Sequence, residues 1–206
     1  MDKEIMDNID TTKGICHAFD PYRSRPEDFI KFIKKYGKTT YRSTLFLDFN
    51  NFNYKYFIVF FVEKGKRGQI SAWGLCDRDA SKEFSKRVKK KNDKGDPFED
   101  APYGFPGDKS ENFKRVFYYK KIELLKNPHN CTEFKLINTG ENISKDNLGI
   151  LRTALYVEIP PEIFNEIKED LWWTWGICSI LQNKNGRALN FLYHIVILFM
   201  TISFKA

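Results

Sequence analysis

The stretch that decides the fold runs from residue 54 to residue 76, YKYFIVFFVEKGKRGQISAWGLC. Its first part, Tyr54 to Glu63, is dense in aromatic and β-branched residues and shows no polar alternation. That pattern predicts a strand buried on both faces and central in its sheet. The turn KGKRGQ breaks the run with two glycines, and ISAWGLC then returns as a second strand. Together they predict a hairpin.

Toward the N-terminus, the polar stretch NNFN (50–53) reads as a turn that separates this hairpin from a β-rich run, Thr39 to Phe49. SRPEDFIKFIKKYG, ahead of that run, predicts a helix. Ser24 is placed to cap it, Pro26 sits in the first turn, and Glu27 and Asp28 suit its positive end. Phe29, Ile30, Phe32, Ile33 and Tyr36 form its apolar stripe, and Gly37 ends it. Residues 1–20 carry no clear period and read as irregular.

Toward the C-terminus, residues 77–113 read as a long excursion. It opens with a short helical pattern, DASKEFSKRVKKK, and continues through the Pro- and Gly-rich stretch GDPFEDAPYGFPGD. FKRVFYYKKIELL then predicts a strand, FKLI (134–137) a short one, and LRTALYVEI another that leads into the helix PEIFNEIKEDL. Helix, strands, excursion, strands, helix is the order of an α+β domain.

The 206 residues fit one domain plus an appendage, read as residues 1–170 with a basic insertion at 77–112, followed by an apolar segment at 171–206. Thirty-four Lys and Arg against 27 Asp and Glu give a net charge of +7, a sign that favours polyanions such as DNA, RNA or an acidic membrane surface. Cys16, Cys76, Cys131 and Cys178 lie far apart, as do His17, His129 and His194, so the ligand pairs of a zinc site are missing. Reduced cysteines, no metal and no cofactor are expected. The polar first ten residues predict no secretory signal and an intracellular (cytoplasmic or nuclear) protein. The run ALNFLYHIVILFMTISF (188–204) is free of formal charge but short for a membrane span, which needs about 20 residues. A membrane role is therefore disfavoured, and a buried element, or a tail covered by a partner protein or missing downstream domain, is expected instead.

Two segments carry a resemblance. YFIVFFVEKGKRGQISAWGLC, with its two strands and basic Gly turn, is one. The block from Phe113 to Ile167 is the other, running through LINTGENISKDNLGILR to ALYVEIPPEIFNEI. Both are similar to the PUA-like superfamily, particularly its EVE and YTH branches. The resemblance implies a partly open β-barrel flanked by helices. It also implies a non-enzymatic reader that holds a flipped and often modified base of DNA or RNA between aromatic residues. Residues 77–112 and the apolar tail depart from that pattern.

A flipped base needs aromatic walls and a few polar groups at its edge. Trp73 beside Gly74 is the first candidate wall, the glycine leaving room for a ligand; the alternative for Trp73 is a plain core position. Tyr103 and Phe105, in APYGFPG, suit a clamp or simply anchor their own loop. Asn147 offers an amide that donates and accepts. Arg152 stands where the resembling domains place a phosphate or base-edge contact. Lys66 and Arg67 in the hairpin turn, and Lys89 and Lys90 in the basic run, are candidates for tracking a phosphate backbone, with a solvated charge run as the plain alternative.

Two other classes compete. Glu133-Phe134-Lys135, with Asp108 upstream, has the spacing of a magnesium-dependent nuclease. The cluster WWTWG (172–176) and the apolar tail could instead form an interfacial anchor or a protein-interaction surface.

Overall fold

The computed structural model describes residues 3–19, 25–43, 47–63, 68–93, 115–144 and 154–181; within these, the side chains of residues 3, 4, 19, 42, 87–93 and 172–181 lie outside the description. The elements run α1 (Lys3–Asp7), β1 (Ile9–Phe19), α2 (Pro26–Tyr36), β2 (Thr39–Ser43), a 3-10 turn η1 (Phe49–Asn51), β3 (Tyr56–Glu63), β4 (Gln69–Asp77), α3 (Arg78–Asp93), β5 (Arg115–Asn130), η2 (Cys131–Glu133), β6 (Lys135–Leu136), β7 (Leu155–Glu158) and α4 (Pro161–Leu181). The fold class is α+β, as the order of elements predicts.

All seven strands join one mixed sheet in the order β2-β5-β4-β3-β1-β7-β6. The β1–β3 pair is parallel and the others are antiparallel. The hairpin read from residues 54–76 is its centre, and every residue of β3 from Tyr56 to Val62 is buried. On one face, Ile58, Phe60, Trp73 and Leu75 pack against Ile163, Ile167 and Leu171 of α4. On the other, Phe57, Val59, Phe61, Phe117 and Tyr119 pack against Phe29 of α2 and against Phe49 and Phe52.

The sheet is strongly curled. β2 and β1 stand four strand spacings apart, which in a flat sheet would separate them by about 19 Å. Their side chains nevertheless meet: the His17 and Tyr41 rings lie edge to face with centroids 5.2 Å apart, and His17 also meets Phe117 at 5.3 Å. The α2 face is therefore the concave one, and aromatic side chains fill it. Phe52 and Phe57 stack there at 4.2 Å. Among the described residues no backbone pairing joins β1 to β2, so the sheet stays open.

Three expectations change. Residues 1–20 are not irregular: β1 fills 9–19 and sits between β3 and β7. It runs through Gly14 because a Cβ there would meet the Ile58 carbonyl at 2.9 Å. The helix over 24–37 begins one step later, with Arg25 in extended conformation at its N-cap and Pro26 first in the helix; Ser24 lies outside the described residues. Gly37 ends it at φ 73, the left-handed conformation that glycine adopts without strain. The basic pattern after Asp77 is a sixteen-residue helix rather than a short one.

α3 is tied to the sheet by two serines one turn apart. β4 ends at Asp77, so it leaves the first residues of β5 without a neighbour on that side. Ser81 Oγ accepts the Tyr118 N–H at 2.9 Å and donates to the Asp77 carbonyl at 2.6 Å. Ser85 Oγ accepts the Val116 N–H at 2.9 Å and donates to the Ser81 carbonyl at 2.7 Å. The helix thus supplies the hydrogen bonds a strand would have made, and no buried β5 donor goes unmet there.

Candidate functional site

The segment from Leu47 to Tyr54 forms a rim over the concave face, and its alternation explains its shape. Phe49 and Phe52 are buried in the aromatic core, while Asn50, Asn51, Asn53 and Tyr54 are exposed. Two anchored rings at this spacing force the residues between them outward. Asp48 turns its carboxylate back to accept the Asn50 N–H at 2.9 Å, which closes η1.

Three distant elements clamp this rim. From β7, the Tyr156 hydroxyl accepts the Asp48 N–H and donates to the Asp48 carbonyl, both at 2.9 Å. Partial burial raises the Tyr156 pKa, with the Asp48 backbone bond opposing. At the start of β5, Arg115 Nε donates to the Leu47 carbonyl. From α3, Arg78 Nη1 donates to the carbonyls of Phe52 (2.9 Å) and Asn53 (3.0 Å). Its Nε pairs with Asp79 at 3.0 Å. A loop held at Leu47, Asp48, Phe52 and Asn53 presents its outward amides in a fixed arrangement.

The sequence-predicted site residues are only partly brought together. Trp73 has no exposed surface; it packs as core, and its ring is covered by the Lys121 ammonium 5.6 Å from the centroid. The space beside Gly74 holds protein rather than ligand: a Cβ there would lie 2.8 Å from the Tyr119 ring. Tyr103, Phe105, Asn147, Arg152, Lys66 and Arg67 lie outside the described residues. Lys89 and Lys90 belong to α3, with side chains outside the description. The segments that carry Tyr103 and Phe105, and Asn147 and Arg152, rejoin the described chain at Arg115 and Ala154. Both points adjoin the rim through Arg115–Leu47 and Tyr156–Asp48.

The Glu133-Phe134-Lys135 triplet has a structural occupation. Glu133 Oε1 accepts the Asn130 N–H at 2.7 Å, completing a capping box on η2, and Oε2 lies 3.0 Å from His129 Nδ1. Phe134 is wholly buried, and Asp108 lies outside the described residues. Among the described residues no three His, Cys, Asp or Glu side chains gather in a way that could hold a metal.

A second polar cluster ties α4 to the sheet. β5 bulges at 125–128, between the pairs Leu124–Ala72 and His129–Ile70. Glu166 Oε1 accepts the N–H groups of Lys126 and Asn127 in that bulge, and its Oε2 lies 3.5 Å from His129 Nε2. That last contact is close enough for ion pairing but lacks hydrogen-bond geometry, since His129 Nε2 has no hydrogen-bond partner. Lys121 donates to the Asp170 carbonyl at 2.8 Å, and burial lowers its pKa against the pull of Glu123 and Asp170.

Sequence reading took residues 50–53 as a turn and passed over Tyr54, Arg78, Arg115 and Tyr156. The signal available was the spacing of Phe49 and Phe52 among three asparagines. No helix among the described residues is long and apolar enough to cross a membrane. No protein-family model, no curated protein and no solved structure matches this chain.

Proposed function

We propose that this chain is a nucleic-acid-binding module that uses α3 as its contact with the phosphate backbone. The observation that carries the reading is the anchoring of a strongly basic helix. Between residues 82 and 91, α3 holds Lys82, Lys86, Arg87, Lys89, Lys90 and Lys91 against a single acidic residue, Glu83. Ser81, Ser85 and Arg78 fix that helix to the sheet and the rim. A basic helix anchored through its first two turns, on a chain of net charge +7, suits a polyanion, and each neutralised phosphate releases counterions.

A finer reading belongs to the same proposal. A curled sheet with an aromatic concave face supports a PUA-like architecture, and the module would hold an unpaired, modified base. With Trp73 buried, Tyr103 and Phe105 are the aromatic residues this reading retains for a pocket. The test is fluorescence anisotropy on labelled DNA and RNA strands, plain and methylated, across a salt series. A binding constant whose logarithm falls linearly with the logarithm of salt concentration, and a shallower slope for the Lys86→Glu/Lys89→Glu/Lys90→Glu variant, is the expected result. Equal affinity for that variant at every salt concentration would overturn the proposal.

A further inference from the structure

We infer that the rim at 50–54 is a base-contacting surface beside any pocket, and that its ligand is single-stranded nucleic acid with Tyr54 as a stacking platform. The inference rests on the nucleic-acid reading above and adds the strand type and the residues that meet the bases.

Tyr54 is 46 % exposed, the largest exposure among the aromatic residues singled out as exposed in the described chain. Tyr36, the other, has the Lys35 ammonium 4.8 Å from its ring centroid. Among the described residues no hydrogen bond, ion pair or ring contact engages Tyr54. The core beneath the rim is already filled by Phe49, Phe52 and Phe57, and Phe52 and Phe57 stack on each other. An aromatic ring held at the surface by a clamped backbone provides a stacking face at low entropic cost, because the carbonyls of residues 52 and 53 are fixed by Arg78.

The neighbours supply the rest of the recognition. Asn50 and Asn53 are exposed on either side of buried Phe52, and an amide both donates to and accepts from a base edge. Asn51 is committed differently, since its side chain hydrogen-bonds Tyr156. The rim meets α3 at Arg78, the first residue of the helix that carries the basic run, and that run matches the charge of a strand's phosphates. Stacking on Tyr54 requires a base whose face is not covered by its neighbours in a duplex, and this selects single strands.

The test uses the full chain with labelled single-stranded RNA and DNA and the corresponding duplexes. Tyr54→Ala should weaken single-strand binding by about tenfold or more, in line with the loss of one stacked base. Tyr54→Phe should bind like the parent, and duplex binding should be the same for all three proteins. Thermal melting checks that the variants fold. Asn50→Ala and Asn53→Ala should alter the preference among homopolymers while leaving the melts unchanged. Undiminished single-strand affinity in Tyr54→Ala would overturn the inference while leaving the α3 proposal intact. Duplexes bound as tightly as single strands would do the same. Absence of binding to every oligonucleotide would overturn both.

Discussion

His17 and Ser43 meet across the gap between β1 and β2, with Nε2 of the imidazole 3.3 Å from Oγ of the serine. Both are buried, and the Tyr41 and Phe117 rings pack edge-on against the imidazole. Where a closed barrel would have a ladder of backbone bonds, this sheet has a side-chain bridge.

Burial lowers the His17 pKa from the usual 6.5 to about 4. Above pH 6.5 the residue is neutral in both folded and unfolded chains and contributes no pH dependence. Below it the unfolded chain takes up a proton that the folded one refuses, so stability falls until the pH reaches about 4. Over that window the loss is on the order of 3 kcal/mol. Urea midpoints at pH 7 and pH 4.5 should differ more for the wild type than for His17→Gln, which cannot titrate. Identical pH dependence in the two proteins would contradict the assignment.

Gly74→Ala should destabilise by about 1–3 kcal/mol, because its Cβ would stand 2.8 Å from two atoms of the buried Tyr119 ring and 3.2 Å from Phe61. Thermal melting of the single variant and of Gly74→Ala/Tyr119→Leu checks the cause. The double variant should lose less than the two single losses added together, since the smaller side chain makes room for the methyl group.

Ser81→Ala and Ser85→Ala should each cost about 1–3 kcal/mol, as the second strands the buried Val116 N–H and the first leaves the Tyr118 N–H only the weak acceptor Cys76 Sγ. Hydrogen exchange gives the sharper reading. The Tyr118 amide should lose protection in the first variant and the Val116 amide in the second, ahead of the rest of β5.

Glu166→Ala should cost roughly 1.5–3 kcal/mol, for it removes a charged acceptor shared by two backbone N–H groups and leaves His129 with Glu133 alone. Glu166→Gln keeps an acceptor and should fall between that variant and the wild type in a denaturant melt. A Gln variant no better than Ala would show that the charge, rather than the hydrogen bonds, holds the bulge.

The centre of this fold was legible because residues 56–76 carry their information locally: an apolar strand, a glycine turn, a second strand. Helix α2 was legible for the same reason, from its stripe and Gly37. β1 was not. Thr11, Thr12, Lys13 and Gly14 interrupt any apolar period, and its partners Tyr56–Glu63 and Leu155–Glu158 are remote in the chain. The site was harder still. A Trp-Gly pair on a strand reads as open space beside an aromatic wall, and only the arrival of Tyr119 from another strand shows that the space is taken. The rim reads as a plain polar turn until Arg78, Arg115 and Tyr156 converge on it from three elements.

The place of β1 has a consequence for how the molecule is made. Its neighbour on one side, β3, is made long before its neighbour on the other, β7, which is among the last strands to be synthesised. At usual translation rates the far edge of β1 stands open for on the order of ten seconds. During that wait the edge accepts any strand of suitable pattern, including β7 from another copy. Slowing or crowding synthesis should therefore favour exchanged dimers, in which each chain completes the sheet of its neighbour.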